Sequence, residues 1–264
     1  MIAVLASASS VETQSEGKRK ERAIGAVRST PETTKMGRLS LMMFSLAVLL
    51  FAANSLEPVN EALLEDLVPQ ILNRCLGQWN GPMYSLAVRI PLNSETNMYD
   101  INQVTDAADE IQKKILKSEV YTGTRVVAAT AAPGEHAEYR TLQNLNTILN
   151  NRNTENDLLF IYVYASPCAT RCTNIRNKGN ILDLLKGYKK YKPVFVFSKI
   201  FKPLGIRAED SAEDPQVALR NLGGAIGLQS IFRCDKVNYI MRCVNCKSNG
   251  NVAGWCYDDN QPPA

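Results

Sequence analysis

A chain of 264 residues is long enough to bury a sizeable core and short enough to do so as one domain. Its 45% hydrophobic and 21% charged residues exclude a disordered or fibrous protein. Of the formal charge of +4, three units sit in residues 1–55, which carry seven Lys/Arg against four Asp/Glu and leave 23 against 22 in residues 56–264, so bulk charge identifies no partner and any such argument needs local clustering.

Residues 1–35 are polar, include the basic run Lys18-Arg19-Lys20, and read as a disordered extension or as the product of an upstream start codon. Residues 39–53 (LSLMMFSLAVLLFAA) form the one long apolar run, preceded by Arg38 and closed by the small residues Ala53-Asn54-Ser55. The run falls short of the ~20 residues that span a bilayer. A charged start, an apolar middle and a small-residue end describe a signal peptide over 36–55 beginning near Met36, and therefore a secreted mature chain, 56–264, without membrane contact. The alternative is a type II membrane anchor.

Beyond the signal, Leu56, Val59, Leu63, Leu67, Ile71 and Cys75 recur at helical spacing, with Pro69 expected to kink or end the helix early. Residues 83–90 (MYSLAVRI) read as a strand, and Val104, Ala108, Ile111 and Ile115 share a helical face. A strand at 124–131 is followed by a turn at Pro133-Gly134, a helix from His136 to Leu149 and a polar loop from Asn150 to Asp157. Residues 158–165 (LLFIYVYA) are apolar without alternation, as in a strand buried on both faces. A helix from Pro167, broken at Lys178-Gly179, resumes from Asn180 to Lys190. A strand at 193–197, a helix near 214–226 and a short strand at 229–233 come next. Strands alternating with helices predict an α/β sheet with some parallel pairing.

His136 is the sole histidine, in His136-Ala137-Glu138 at a predicted helix start after a strand. Pro167-Cys168 followed by Cys172 repeats that context. A C-x-x-x-C puts both sulfurs on one helical face, and a helix N-terminus favours thiolates. One imidazole and two thiolates leave the fourth tetrahedral position of Zn2+ open for water, the mark of a catalytic site. The metal lowers that water's pKa to about 7, and Glu138, not a ligand, is placed to carry its proton. The expected reaction is attack at C4 of cytosine with loss of ammonia.

The other five cysteines are Cys75, Cys234, Cys243, Cys246 and Cys256. In an exported chain the last four read as disulfides, with a structural zinc at the C-x-x-C of 243–246 as the alternative. No N-x-[ST] sequon occurs.

The two-part motif, the 28 residues between its halves, the Ser166-Pro167-Cys168 triplet and ALRNLGGAIGLQSIF (218–232) resemble the AID/APOBEC cytidine deaminases, and with the signal peptide the secreted AID/APOBEC-like branch described in fish. The resemblance covers about 124–233 and implies a cytidine-deaminase-like fold: a five-stranded mixed sheet flanked by helices, its last two strands parallel. It implies a base pocket involving Ala137, Tyr164 and Ser166, although the tryptophan usual before Ser-Pro-Cys is here Ala165. It also implies that the loop after the fourth strand, with Lys199, Phe201 and Lys202, contacts the nucleotide before the target. The Cys-rich tail from 234 lies beyond the resemblance, and some 30 residues with a predicted helix separate the first two strands, where the family has a hairpin.

Residues 171–207 hold ten Lys/Arg against one acid, Asp183. Cations for phosphates and an aromatic for a base favour a single-stranded DNA or RNA substrate over a free nucleoside. A solvated helical face with Phe201 in the core is the plainer reading of the same residues.

Overall fold

The computed structural model describes residues 58–150, 156–203 and 213–263. The expected extension (1–35) and signal peptide (36–55) lie outside the described residues, as do Leu56 and Arg207.

Helix α1 (Glu61–Leu76) starts at Asn60, whose side chain accepts from the Leu63 amide, and ends at Gly77. It continues through Pro69, against expectation. An internal proline costs about 3 kcal/mol, but Leu64, Leu67, Val68, Ile71, Cys75 and Leu76 are buried on both sides of it, each large apolar side chain contributing roughly 1.5–3 kcal/mol. Burial wins. The same packing rotates the inward face so that Leu64 and Val68, rather than Leu63, point to the core.

Strand β1 (Tyr84–Ile90) is followed by the small ribbon β2 (Leu92–Asn93) and β3 (Met98–Tyr99), then α2 (Ala108–Ile115), with Ile111 and Ile115 inward as predicted. Strands β4 (Tyr121–Thr122) and β5 (Val126–Thr130) lead into α3 (Ala137–Gln143) and α4 (Asn146–Leu149). The single helix expected over 136–149 is thus two. The Asn144 side chain donates to the Arg140 carbonyl (2.9 Å), the local competition that breaks helices at asparagine. Strand β6 (Leu158–Ala165), α5 (Leu182–Tyr188), β7 (Val194–Lys199), α6 (Pro215–Ile226), β8 (Ile231–Val237), β9 (Ile240–Asn245), β10 (Lys247–Ser248) and β11 (Asn251–Val252) complete the described chain.

The main sheet has the order β4-β5-β1-β6-β7-β8-β9. Its centre is the expected five strands, with β4 and β9 added at the edges to make seven. β1 is antiparallel to both β5 and β6, whereas β6, β7 and β8 are mutually parallel. The predicted parallel pair β7–β8 is therefore present and β6 joins it. One face packs Val88, Phe160, Tyr162, Val196 and Phe232 against α1 and α2. The other packs Ala87, Ile161, Val163, Phe195 and Phe197 against the remaining helices.

Two arginines pin the loop before β6: Asp157 is 2.9 Å from Arg89 Nε and 3.0 Å from Arg125 Nη1. At the far edge, β9 turns outward amides towards α1, where Glu65 accepts from Cys243 N (3.1 Å) and Glu61 from Asn245 N (2.7 Å).

The Cys-rich tail is disulfide-bonded, Cys234–Cys243 across the β8–β9 hairpin and Cys246–Cys256 beyond it, which sets aside the structural-zinc alternative. Cys75 stays a buried thiol that burial pushes up to about 12. Converting Cys234 and Cys243 together to Ser is expected to lower the unfolding free energy by about 2–3 kcal/mol, since the bond closes only a short loop of the unfolded chain. Denaturant unfolding of the variant checks this. No loss would mean that the hairpin's pairing alone holds its register.

Candidate metal centre

Because β1 lies between them and is antiparallel to both, β5 and β6 run the same way and end at the same edge of the sheet. The segments that leave β5 and β6 therefore meet. After β5 the chain makes a tight turn in which Ala132 and Glu135 exchange both backbone hydrogen bonds at 2.9 Å. Pro133 supplies the first central position, and Gly134, at φ 80°, supplies a left-handed second one that a side chain would strain. The turn delivers His136 as the N-cap of α3, with Glu138 in its first turn.

After β6 the expected helix from Pro167 is instead a series of turns. The Thr173 amide reaches back to the Cys168 carbonyl (3.0 Å), and Asn174, Asn177 and Asn180 bond nearby backbone in place of helical partners. The cysteines therefore do not open a helix of their own, and local turn bonding does the positioning. The four-residue spacing still brings Cys168 Sγ within 3.4 Å of Cys172 Sγ.

His136 Nδ1 lies 3.0 Å from Cys172 Sγ and 3.7 Å from Cys168 Sγ. The three groups are the described His/Cys/Asp/Glu set whose donor atoms converge closely enough to hold a metal ion. Tetrahedral zinc with ligands at ~2.05 Å (N) and ~2.3 Å (S) needs donor separations of about 3.6 Å for N···S and about 3.8 Å for S···S. Of the observed edges, the 3.7 Å N···S separation matches, while the 3.0 Å N···S and 3.4 Å S···S separations are the shorter ones of a triangle that has only to open slightly, and its donor types are those zinc prefers. The residues fit the ion.

Both cysteines are buried, and Glu138 lies behind them. Cys172 Sγ donates to Glu138 Oε1 (2.8 Å), which stands 3.9 Å from His136 Nδ1. The hydrogen bond it shares with Cys172, with a further one to His136, holds the Cys168 thiol down at about 4 against its burial. Cys172 is raised by that same hydrogen bond, by burial and by Glu138. A divalent cation would displace the thiol protons and hold both sulfurs as thiolates. Burial raises the Glu138 carboxyl above its ordinary range.

The predicted substrate residues separate into groups. Ala137 is buried beside His136, and the Phe201 ring sits 6.4 Å from the His136 ring, tilted by 43°. Ser166 is buried and ties two loops together: its amide donates to Lys199 O (2.7 Å) and its Oγ accepts from Phe201 N (3.0 Å). Tyr164 is not brought to the metal group. Alternation along β6 turns it to the opposite sheet face, where its ring lies 6.0 Å from Tyr84. Lys199 and Lys202 flank Phe201 but are salt-bridged, Lys199 to Asp235 and Lys202 to Asp259, each at 2.7 Å.

The basic stretch is also dispersed. Lys189, Lys190 and Lys192 precede β7 and so lie at the sheet edge opposite the metal group, where Lys190 and Lys192 line a cleft of about 650 Å³. Sequence reasoning missed Glu213, whose carboxylate accepts from Ala169 N (2.5 Å) and from the Thr170 amide and hydroxyl, bracing the turn that carries the cysteines. It also missed Arg233, although an arginine inside the apolar strand β8 was a visible signal.

A mixed sheet with this parallel half, carrying a His–Cys–Cys group and a buried glutamate at the carboxyl ends of its strands, defines a deaminase-like α/β protein. A family model described as Secreted Novel AID/APOBEC-like Deaminase 1 (SNAD1) matches residues 61–260, and the chain belongs to that family. No curated protein and no solved structure matches it. The family's description is of secreted proteins, in keeping with the two disulfides, and among the described residues no helix is long and apolar enough to cross a membrane.

Proposed function

We propose that the protein is a secreted zinc-dependent deaminase that hydrolyses cytosine to uracil in single-stranded DNA or RNA. The observation that carries this is the convergence of His136 Nδ1, Cys168 Sγ and Cys172 Sγ beside the buried Glu138 carboxyl. When bound, Zn2+ supplies a water nucleophile at neutral pH. Glu138 takes one proton of the water at Oε1 and passes it to the ring nitrogen, then takes the second and passes it to the leaving amine, so that cytosine and water become uracil and ammonia. A carboxyl whose proton affinity burial has raised suits that exchange. Phe201 offers a face on which a base stacks. Ala137 and Ser166 line and brace the pocket, residues 36–55 serve as the export signal, and 56–264 is the mature domain.

The salt bridges on Lys199 and Lys202 favour a second reading, a free cytidine as substrate, because a polyanion would have to compete with Asp235 and Asp259 for both cations. Incubation of zinc-loaded 56–264 with cytosine-containing single strands and with cytidine separates the two. Uracil formed in the strands, suppressed by salt, is the expected result. Turnover of cytidine alone would install the second reading, and ammonia from neither would refute both.

A further inference from the structure

The disulfide-bonded tail has no role in the chemistry described above, yet it reaches the loop that carries Phe201. Arg233, buried on β8, is the junction. Its Nε donates to the Ser198 carbonyl (3.0 Å), Nη1 to the Trp255 carbonyl (2.5 Å) and Nη2 to Asp259 Oδ1 (2.7 Å). Its guanidinium also lies 4.6 Å over the Trp255 ring. The second oxygen of Asp259 accepts from Lys202 Nζ (2.7 Å). One carboxylate thus bridges the junction arginine and the residue next to Phe201. The Cys246–Cys256 bond and the Ala253 amide on the Cys246 carbonyl (3.0 Å) keep Trp255 in place.

We infer that the tail is a positioning clamp: Arg233, Trp255 and Asp259 fix the segment from Ser198 to Lys202 so that Phe201 presents its ring beside the metal group, and the Cys246–Cys256 bond keeps the clamp closed. This rests on the reading of that group as the reacting centre. Burial acts to raise the Asp259 carboxyl, and the hydrogen bonds from Lys202 and Arg233 more than reverse it, so the bridge stays ionised. Among the described residues, the hydrogen bonds and ring contact of Arg233, Trp255 and Asp259 do not run to His136, Cys168 or Cys172. Opening it should therefore release the aromatic wall and spare the ligands.

The test uses mature, zinc-loaded chain carrying Cys246→Ser with Cys256→Ser, or Asp259→Ala. The Asp259 side chain is partly exposed, so its truncation keeps a folded protein even if the serine pair does not. Amide hydrogen exchange over residues 199–202 should quicken by about tenfold while zinc stays at one per chain. KM for a cytosine substrate should rise by about tenfold with kcat little changed, as expected when a stacking face is lost. Unchanged exchange in both variants, or faster exchange with unchanged KM, overturns the clamp. So does loss of zinc, which would make the tail a support of the metal ligands instead. A wild-type chain without turnover defeats only the functional reading, and the exchange rates still decide whether the tail holds the loop.

Discussion

Glu138→Gln is expected to reduce deamination by about 10²–10⁴-fold while leaving one zinc per chain and the folded structure intact. Glutamine keeps the volume of the buried side chain and an oxygen able to accept from Cys172 Sγ. What it removes is a group that can hold a proton and give it back. Because Glu138 is not among the three converging donors, metal content and turnover should separate in this variant. Paired measurement of zinc by metal analysis and of uracil by product assay decides the matter. Activity within a few-fold of wild type would dismiss Glu138 from proton transfer. Loss of zinc would recast it as a support for the ligands.

The second large effect concerns the ligands. Replacing Cys168 and Cys172 together by Ser, or His136 by Ala, should reduce zinc from one per chain to none and abolish turnover. Ligand binding stabilises a folded chain by about 2.7 kcal/mol when the ligand stands at 100 times its Kd. Wild-type protein should therefore gain thermal stability on zinc addition and lose it to a chelator, and the variants should respond to neither. The three side chains come from two segments that meet only because β1 separates β5 from β6, so the centre exists only in the assembled sheet. A wild-type chain that takes up no zinc, or in which Cys168 and Cys172 are joined in a disulfide, would end the metalloenzyme reading.

Much of this arrangement is legible in the sequence because it depends on short-range patterns. The four-residue cysteine spacing, the His-x-Glu pair, the Pro-Gly turn and the apolar run of β6 each act over a few residues, and each stands where its pattern places it. The features that escape the sequence depend on partners far along the chain. Lys199 and Lys202 look like free cations until Asp235 and Asp259, 36 and 57 residues downstream, come to face them in the fold. Pro69 looks like a helix end because the packing that overrides it belongs to other strands. Tyr164 is a different kind of miss. Its direction follows from strand alternation, but its place beside Ala165, where the family has tryptophan, suggests the pocket more strongly than parity argues against it. The turns of 167–179 pass for a helix because the C-x-x-x-C spacing satisfies both.

The carboxylates of Glu61 and Glu65 on the outer rim of β9 bear on life outside the cell. A terminal strand with vacant amides is a template on which a second molecule can zip itself, and an exported protein meets its own copies and foreign chains without chaperones at hand. By occupying two of those amides, the first helix denies neighbours a foothold, so the residues that begin the domain guard the end of its sheet against polymerisation.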